Sequence, residues 1–317
     1  MVHYVVTGGA GFIGSHLVRR LLGLGHRVTV LDNFSTGKVW NIPPGADVWT
    51  GDIRDPGVMR AVLADADGCF HLAAVASVQK TCIDWLASTQ VNLAGTVAVF
   101  EAARANGIRP AIPVVYASSA AVYGDVREFP TPETAPKAPI SAYGVDKLSG
   151  EMHAAVGWKT HGVPSVGLRF FNVYGPGQDP SSPYSGVISI FARRIANREP
   201  ITIHGDGMQL RDFVFVEDVV DHLVAAMGKA ADGARVYNVC TGRTTSISQL
   251  AEQLMFVCGR VVERRREPAR EGDIRTSLGN PTLAVRELGV AARTTLADGL
   301  RRTLAGVDEP LPMAAFA

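Results

Sequence analysis

The chain of 317 residues is 47% hydrophobic and 19% charged, with 31 Lys and Arg against 30 Asp and Glu. This is the profile of a globular protein of enzyme size, and it excludes disorder, fibrous repeats and the dense positive charge of a nucleic-acid binder. Four cysteines without CxxC spacing (Cys69, Cys82, Cys240 and Cys258) predict reduced thiols and no metal site, and no apolar run reaches the ~20 residues of a membrane helix, so a cytoplasmic protein is expected.

Short β-branched runs alternate with helical periodicity from the N-terminus, the pattern of parallel strands joined by crossover helices. Residues 2–7 predict a strand. Residues 12–24 predict a helix through Leu17, Val18, Leu21 and Leu22, stopped at Gly25, before a strand at 27–31. Strands at 47–50 and 68–72 flank a helix near 58–64, and a long helix is expected over 85–106. A strand at 111–117, a Pro- and Thr-rich loop at 130–139, a helix at 143–161 and a strand at 165–170 come next. Beyond Phe171, Gly175, Pro176, Gly177, Pro180 and Pro183 interrupt regular structure. The expected architecture is α/β: a Rossmann-type doubly wound parallel sheet in 1–171 with a return segment near 212–240. A smaller mixed α/β substrate unit occupies 172–211 and 241–307, and 308–317 is a tail.

The first strand runs into Thr7-Gly8-Gly9-Ala10-Gly11-Phe12-Ile13-Gly14. In this spacing Gly8 permits the tight turn, Gly11 lets backbone approach a pyrophosphate, and Gly14 lets the helix pack closely, its free N–H groups facing the phosphates. Asp32 ends the second strand eighteen residues past Gly14, where a carboxylate meets the adenosine ribose. Its charge repels a 2′-phosphate, so NAD is expected rather than NADP. Tyr143 and Lys147 are four apart and project from one helix face. Ser118 and Ser119 end a strand at the sheet edge where open α/β folds bind ligands.

These segments, with Asp32, His71 to Ala74 (HLAA), Asn92, Ser118 to Gly124 (SSAAVYG), Tyr143 to Lys147 (YGVDK) and Arg169 to Gly177 (RFFNVYGPG), resemble the extended short-chain dehydrogenase/reductases. Within them the chain is most similar to the NAD-dependent nucleotide-sugar 4-epimerases, of UDP-glucose 4-epimerase type, over residues 2–304. The resemblance implies that NAD is held by Gly8, Gly11, Phe12, Ile13, Gly14, Asp32, Asn33, Asp52, Ile53, Leu72, Ala73, Ala74, Asn92, Tyr143 and Lys147. It implies Tyr143 as general base on a sugar hydroxyl, with Lys147 and Ser119, rather than Ser118, beside it. A nearby ammonium and an oxidised nicotinamide would favour the ionised phenol.

The same resemblance places a UDP-sugar against Ser119, Tyr143, Asn172, Val187, Arg211, Arg270, Asp273 and Ser277, two guanidiniums gripping the diphosphate. Related 4,6-dehydratases carry Asp and Glu just after the catalytic Thr, and decarboxylases a Glu at the second position; here Ala120 and Ala121 can transfer no proton. A C4 epimerase of UDP-glucose and UDP-galactose is therefore expected. Ser277 leaves room for the 2-acetamido sugars UDP-GlcNAc and UDP-GalNAc. UDP-glucuronate is the alternative substrate, disfavoured by Asp179 but left open by Arg193 and Arg194; a dehydratase or reductase acting on a nucleotide sugar is the alternative reaction. An apolar stripe through Val145, Leu148, Met152, Ala155 and Val156 is expected to pack on the sheet, and the resemblance adds a homodimer. Neither nucleic acid nor membrane is expected as a partner.

Overall fold

The computed structural model describes residues 1–107, 109–179, 186–231, 233–269 and 272–308. The chain opens with β1 (His3–Thr7), α1 (Phe12–Gly23), β2 (Arg27–Asp32) and β3 (Asp47–Thr50). Then come α2 (Pro56–Val62), β4 (Gly68–His71), α3 (Val78–Ile83), α4 (Trp85–Thr89), a π-helical turn at Gln90–Ala94 and α5 (Gly95–Ala102). Next are β5 (Val114–Ser119), a 3-10 turn at Ala120–Val122, α6 (Ala142–His161), β6 (Ser165–Phe170) and β7 (Asn172–Tyr174). After these lie α7 (Val187–Ala196), β8 (Ile201–His204), β9 (Leu210–Arg211), β10 (Phe213–Phe215), α8 (Val216–Met227) and β11 (Ala234–Val239). The chain continues through β12 (Thr245–Ser246), α9 (Ile247–Cys258), β13 (Arg264–Glu267), β14 (Thr276–Ser277), α10 (Thr282–Leu288) and α11 (Leu296–Asp308).

Among the described residues, seven strands form a central sheet in the order β11-β6-β5-β4-β1-β2-β3, and every pairing in it is parallel. This is the Rossmann-type doubly wound α/β sheet. Successive side chains of a strand point to opposite faces, and the core obeys that rule. Val5, Cys69 and Val114 share one rung and enter the core with Met59, Leu63, Val99 and Phe100. Val6, Phe70 and Val115 share the next rung and pack on the other face against Leu17, Val18 and Leu21 of α1 and Leu223 of α8. Each fully buried side chain of this kind contributes about 1.5–3 kcal/mol relative to exposure. The strand order reverses between β1 and β4, which opens a crevice at their carboxyl ends. A third core cluster joins Tyr174, Phe213 and Phe215 to α7 and α9.

The structure corrects several local expectations. The helix expected over 85–106 is α4, the π-turn and α5, ending at Ala102, with α3 ahead of it, where Ser77 caps the Lys80 N–H at 3.1 Å. The extra residue of a π-turn shifts the helical phase, and here it aims Asn92 back at Val75. The strand expected at 111–117 runs Val114–Ser119, since Pro113 has no N–H to offer a ladder. Helix α2 starts at Pro56, earlier than expected, because the Asp55 carboxylate caps the Gly57 and Val58 N–H groups at 2.7 and 3.2 Å. The stripe on α6 divides: Leu148 packs inward beside Val122 and Tyr123, while Val145, Met152 and Val156 face solvent. Helix α11 runs to Asp308, and the remainder of the expected tail, 309–317, lies outside the described residues, as do Pro180 and Pro183.

Candidate active site

The crevice between β1 and β4 is shaped by glycine. Gly8 turns at φ 71°, and a methyl group on it would lie 2.7 Å from the Ala73 nitrogen. One on Gly14 would lie 2.2 Å from the Gly8 carbonyl oxygen, so α1 packs directly onto the turn. Gly11 caps α1 with no side-chain acceptor, leaving the N–H groups of Phe12, Ile13 and Gly14 for an anion. Thr7 and His71, the last residues of β1 and β4, pair in register, and the Thr7 hydroxyl and His71 Nδ1 are 2.8 Å apart. Burial, helped by the nearby Lys147 charge, pushes the imidazole down to about 3, so His71 is a neutral brace, its Nε2 bonded to Thr96 at 3.0 Å. The Ala73 N–H donates to Thr7 Oγ1 at 3.3 Å, which holds the backbone of Leu72, Ala73 and Ala74 beside Gly8. Asn92 clasps Val75, accepting from its N–H at 2.7 Å and donating to its carbonyl at 3.2 Å.

At the end of β2 the nearly buried Asp32 carboxylate accepts from the Ala10 N–H at 3.0 Å and the Phe34 N–H at 2.8 Å. It thus ties the glycine turn to the loop after β2. Beyond it, Asn33 donates to Asp52 at 3.1 Å, and the Arg54 guanidinium holds the Asp52 carboxyl down at about 2. Ile53 is buried beside them. These residues fit a dinucleotide: a tight turn that a Cβ would fill, open helix N–H groups, and a carboxylate at the end of the second strand.

Ser119, Tyr143 and Lys147 converge at the end of β5. Ser119 caps the 3-10 turn, its Oγ accepting from the Ala121 N–H at 3.1 Å. Ser141 caps α6 in the same way, accepting from the Gly144 N–H at 3.1 Å. A methyl group on Gly144 would lie 2.6 Å from the Ala121 carbonyl oxygen, and this close approach of helix to turn brings Tyr143 to Ser119. Burial raises the Tyr143 phenol above its ordinary value, and the Ser119 hydroxyl bonded to it draws it back part of the way. Lys147 Nζ donates to the Ala117 carbonyl at 2.8 Å and lies 5.7 Å from the Tyr143 ring centre. Burial lowers the ammonium to about 8, and the neighbouring Asp146 carboxylate resists that fall. The protein's own groups therefore keep the phenol protonated at neutral pH, and its ionisation calls for further positive charge at the site. Ser118 turns away and donates to Glu151 at 2.5 Å.

In the part of the chain beyond β6, β9 lies between β12 and β14, with Arg211 in register with Ser277. Arg211 donates to the Leu210 carbonyl at 2.8 Å and forms an ion pair with Asp273. Burial lowers its guanidinium, opposed by that carboxylate. Buried Gln209 donates to the His204 carbonyl at 2.9 Å and reaches Asp273 at 3.5 Å. The fold so gathers Arg211, Asp273 and Ser277. Asn172 is exposed on β7, its N–H bonded to the Asp212 carbonyl at 3.0 Å, and Val187 opens α7 half-buried. Arg270 lies outside the described residues. One supporting residue escaped the sequence reading: fully buried Asp212 collects the Thr241 N–H and hydroxyl at 2.8 and 2.7 Å and the Gly242 N–H at 2.9 Å. Its partners sit 29 and 30 residues further on, so no local spacing announces it.

Comparison with known proteins identifies the family and the fold. The family described as "NAD dependent epimerase/dehydratase family" matches residues 4–240. A UDP-glucose 4-epimerase of Mycolicibacterium smegmatis is 38% identical over 95% of this chain and 96% of its own. The solved UDP-glucose 4-epimerase of Thermotoga maritima, with UDP-glucose, superposes with a TM-score of 0.92 at 37% identity, over 96% of this chain and 98% of that one. A UDP-N-acetylglucosamine 4-epimerase from Methanobrevibacter ruminantium, in complex with UDP-N-acetylmuramic acid, gives 0.91 at 33% identity over 96% and 98%. The chain belongs to the NAD dependent epimerase/dehydratase family.

Proposed function

We propose that the protein inverts C4 of a UDP-hexose, interconverting UDP-glucose with UDP-galactose and accepting their 2-acetamido counterparts. The observation that carries this reading is the meeting of Ser119, Tyr143 and Lys147 beside Ala120 and Ala121, a trio with no further acid or base in the turn just past Ser119. When bound, NAD supplies hydride acceptance and return at C4. Its holders are the glycine turn, the first N–H groups of α1, Asp32, Asn33, Asp52, Ile53, the 72–74 backbone, Asn92, Tyr143 and Lys147. Ser119 orients the C4 hydroxyl, and Tyr143, its ionised form favoured by the Lys147 ammonium together with the positive charge that an oxidised nicotinamide would add, takes that hydroxyl's proton and becomes the neutral phenol. The 4-keto sugar then turns about its diphosphate link, and Tyr143 returns the proton to an oxygen presented from the opposite face.

Arg211 and Arg270 hold the diphosphate, Asp273 the uridine ribose, and Asn172, Val187 and Ser277 the remaining contacts. The small Ser277 side chain, in register with Arg211, supports access for an acetamido group. UDP-glucuronate is less well served: Arg194 donates to the Pro200 carbonyl at 3.0 Å, at the end of α7 away from Val187. On this reading residues 1–171, with the return near 212–240, form the cofactor unit, and 172–211 with 241–307 the substrate unit. Exposed Val145, Met152 and Val156 on α6, with Ile83, Trp85 and Leu86 near it in α3 and α4, support a homodimer built on these helices. Among the described residues no helix is long and apolar enough to cross a membrane, and the reading places the enzyme in the cytoplasm.

Incubation with UDP-glucose, UDP-GlcNAc and UDP-glucuronate, with subsequent separation of C4 epimers, tests the proposal. Formation of the galacto product without net NADH is expected. Stoichiometric NADH with a keto or dehydrated sugar would contradict it.

A further inference from the structure

The proposed chemistry uses no atom of Glu151 or Arg169, yet these two form a deeply buried ion pair beneath it, their side chains 7% and 4% exposed. Tyr143, Lys147 and Glu151 recur every fourth residue of α6 and so share one stripe, with Glu151 about 12 Å along the axis from Tyr143. Facing that stripe, Ser118, Arg169 and Asn238 occupy a single rung across β5, β6 and β11. Ser118 Oγ donates to Glu151 Oε1 at 2.5 Å, and Arg169 donates Nε to the same oxygen at 2.8 Å and Nη2 to Oε2 at 2.7 Å. Arg169 Nη1 donates to the Tyr123 hydroxyl at 2.8 Å and the Glu133 carbonyl at 3.0 Å, and Tyr123 in turn donates to Asn238 at 2.7 Å. The short segment from Ser118 to Tyr123 is therefore gripped at both ends by one ion pair, and Ser119 lies inside it.

We propose that the Glu151–Arg169 pair is a positioning device that sets the register of α6 against the 118–123 segment and so keeps Ser119 in bonding reach of Tyr143. The proposal rests on Ser119, Tyr143 and Lys147 being the reacting groups. Stability alone does not require such a pair, since desolvating two charges offsets their attraction and apolar side chains of similar volume commonly serve as well. What apolar side chains lack is direction. A guanidinium fork fixes a carboxylate in angle and distance, and here it fixes two strand ends and a helix to each other.

The test replaces both charges, Glu151→Leu with Arg169→Met, so that neither is left buried alone. It is read by kcat and KM for UDP-glucose, bound NAD per chain and the thermal midpoint, with Tyr143→Phe alongside. A misplacement of ~1 Å predicts a kcat loss of about 100-fold, with KM and bound NAD within about twofold of the unaltered enzyme. A folded double variant with undiminished kcat overturns the proposal, as does a loss of NAD or rise in KM in step with kcat, which marks general loosening. If the double variant does not fold, Ser118→Ala with Tyr123→Phe decides, because it frees both ends of the segment and leaves the ion pair whole. Lower kcat at unchanged KM then supports positioning, and unchanged kcat overturns it. Full turnover by Tyr143→Phe would instead overturn the underlying assignment of the reacting groups.

Discussion

Gly144 stands so close to Ala121 that a methyl group on it would come within 2.6 Å of the Ala121 carbonyl oxygen. This contact joins the first turn of α6, which carries Tyr143 and Lys147, to the turn that Ser119 caps. Gly144→Ala must push the two apart, because the obstacle is backbone and cannot rotate away. The expected cost is about 1–3 kcal/mol of stability, with kcat reduced roughly 10- to 100-fold as Tyr143 leaves Ser119. Denaturant titration and steady-state kinetics on the purified variant check both. Wild-type kcat in that variant would show that the contact is not what sets the distance.

On the proposed site, Asp32 sets the cofactor preference. Its carboxylate binds the Ala10 and Phe34 N–H groups at the end of β2, where a dinucleotide fold puts the adenosine ribose, so a 2′-phosphate there would meet a negative charge. NAD is expected to bind more tightly than NADP, and Asp32→Asn should narrow the gap by at least about tenfold in Kd, ~1.4 kcal/mol. Titration of cofactor-stripped protein with each nucleotide measures it, and tighter binding of NADP by the unaltered protein would contradict the reading.

His71 makes stability depend on pH. Burial holds its imidazole at about 3, against an ordinary value of 6.5. Between those values the unfolded chain binds a proton that the folded chain refuses, so stability is complete above about pH 6.5 and falls as pH drops toward 3. The slope from this one group reaches at most about 1.4 kcal/mol per pH unit. Burial also lowers His16 and His222, so the comparison is with His71→Asn, whose unfolding free energy should vary less steeply over pH 4 to 6. Equal slopes would mean that His71 is not the buried neutral group described.

Ser277 should set the width of the sugar site. Ser277→Tyr is expected to lower kcat/KM for UDP-N-acetylglucosamine by roughly tenfold or more while UDP-glucose is spared. Parallel loss on both substrates would place Ser277 away from the acetamido position.

The parts of this molecule that could be read from the chain are those fixed by near neighbours. The run from Thr7 to Gly14 declares itself because a tight turn and a close helix leave few other residue choices, and Tyr143 and Lys147 declare one helix face by their spacing. The break of the expected 85–106 helix does not, because the π-turn serves a bond from Asn92 to Val75, 17 residues away. The buried grips of Asp212 on Thr241 and of Glu151 on Arg169 join residues far apart in the chain that meet only through tertiary packing, so neither spacing nor composition marks them. Even α6 is half legible: its apolar positions are plain, but that Leu148 turns inward while Val145 and Met152 face out depends on where the helix lies on β5.

The proposed reaction is one oxidation and one reduction at the same carbon. UDP-galactose carrying deuterium at C4, converted in ordinary water and analysed by mass and NMR, tests it directly. The predicted product is UDP-glucose with the deuterium still at C4. Washout of the label into water or into released NADH would contradict it.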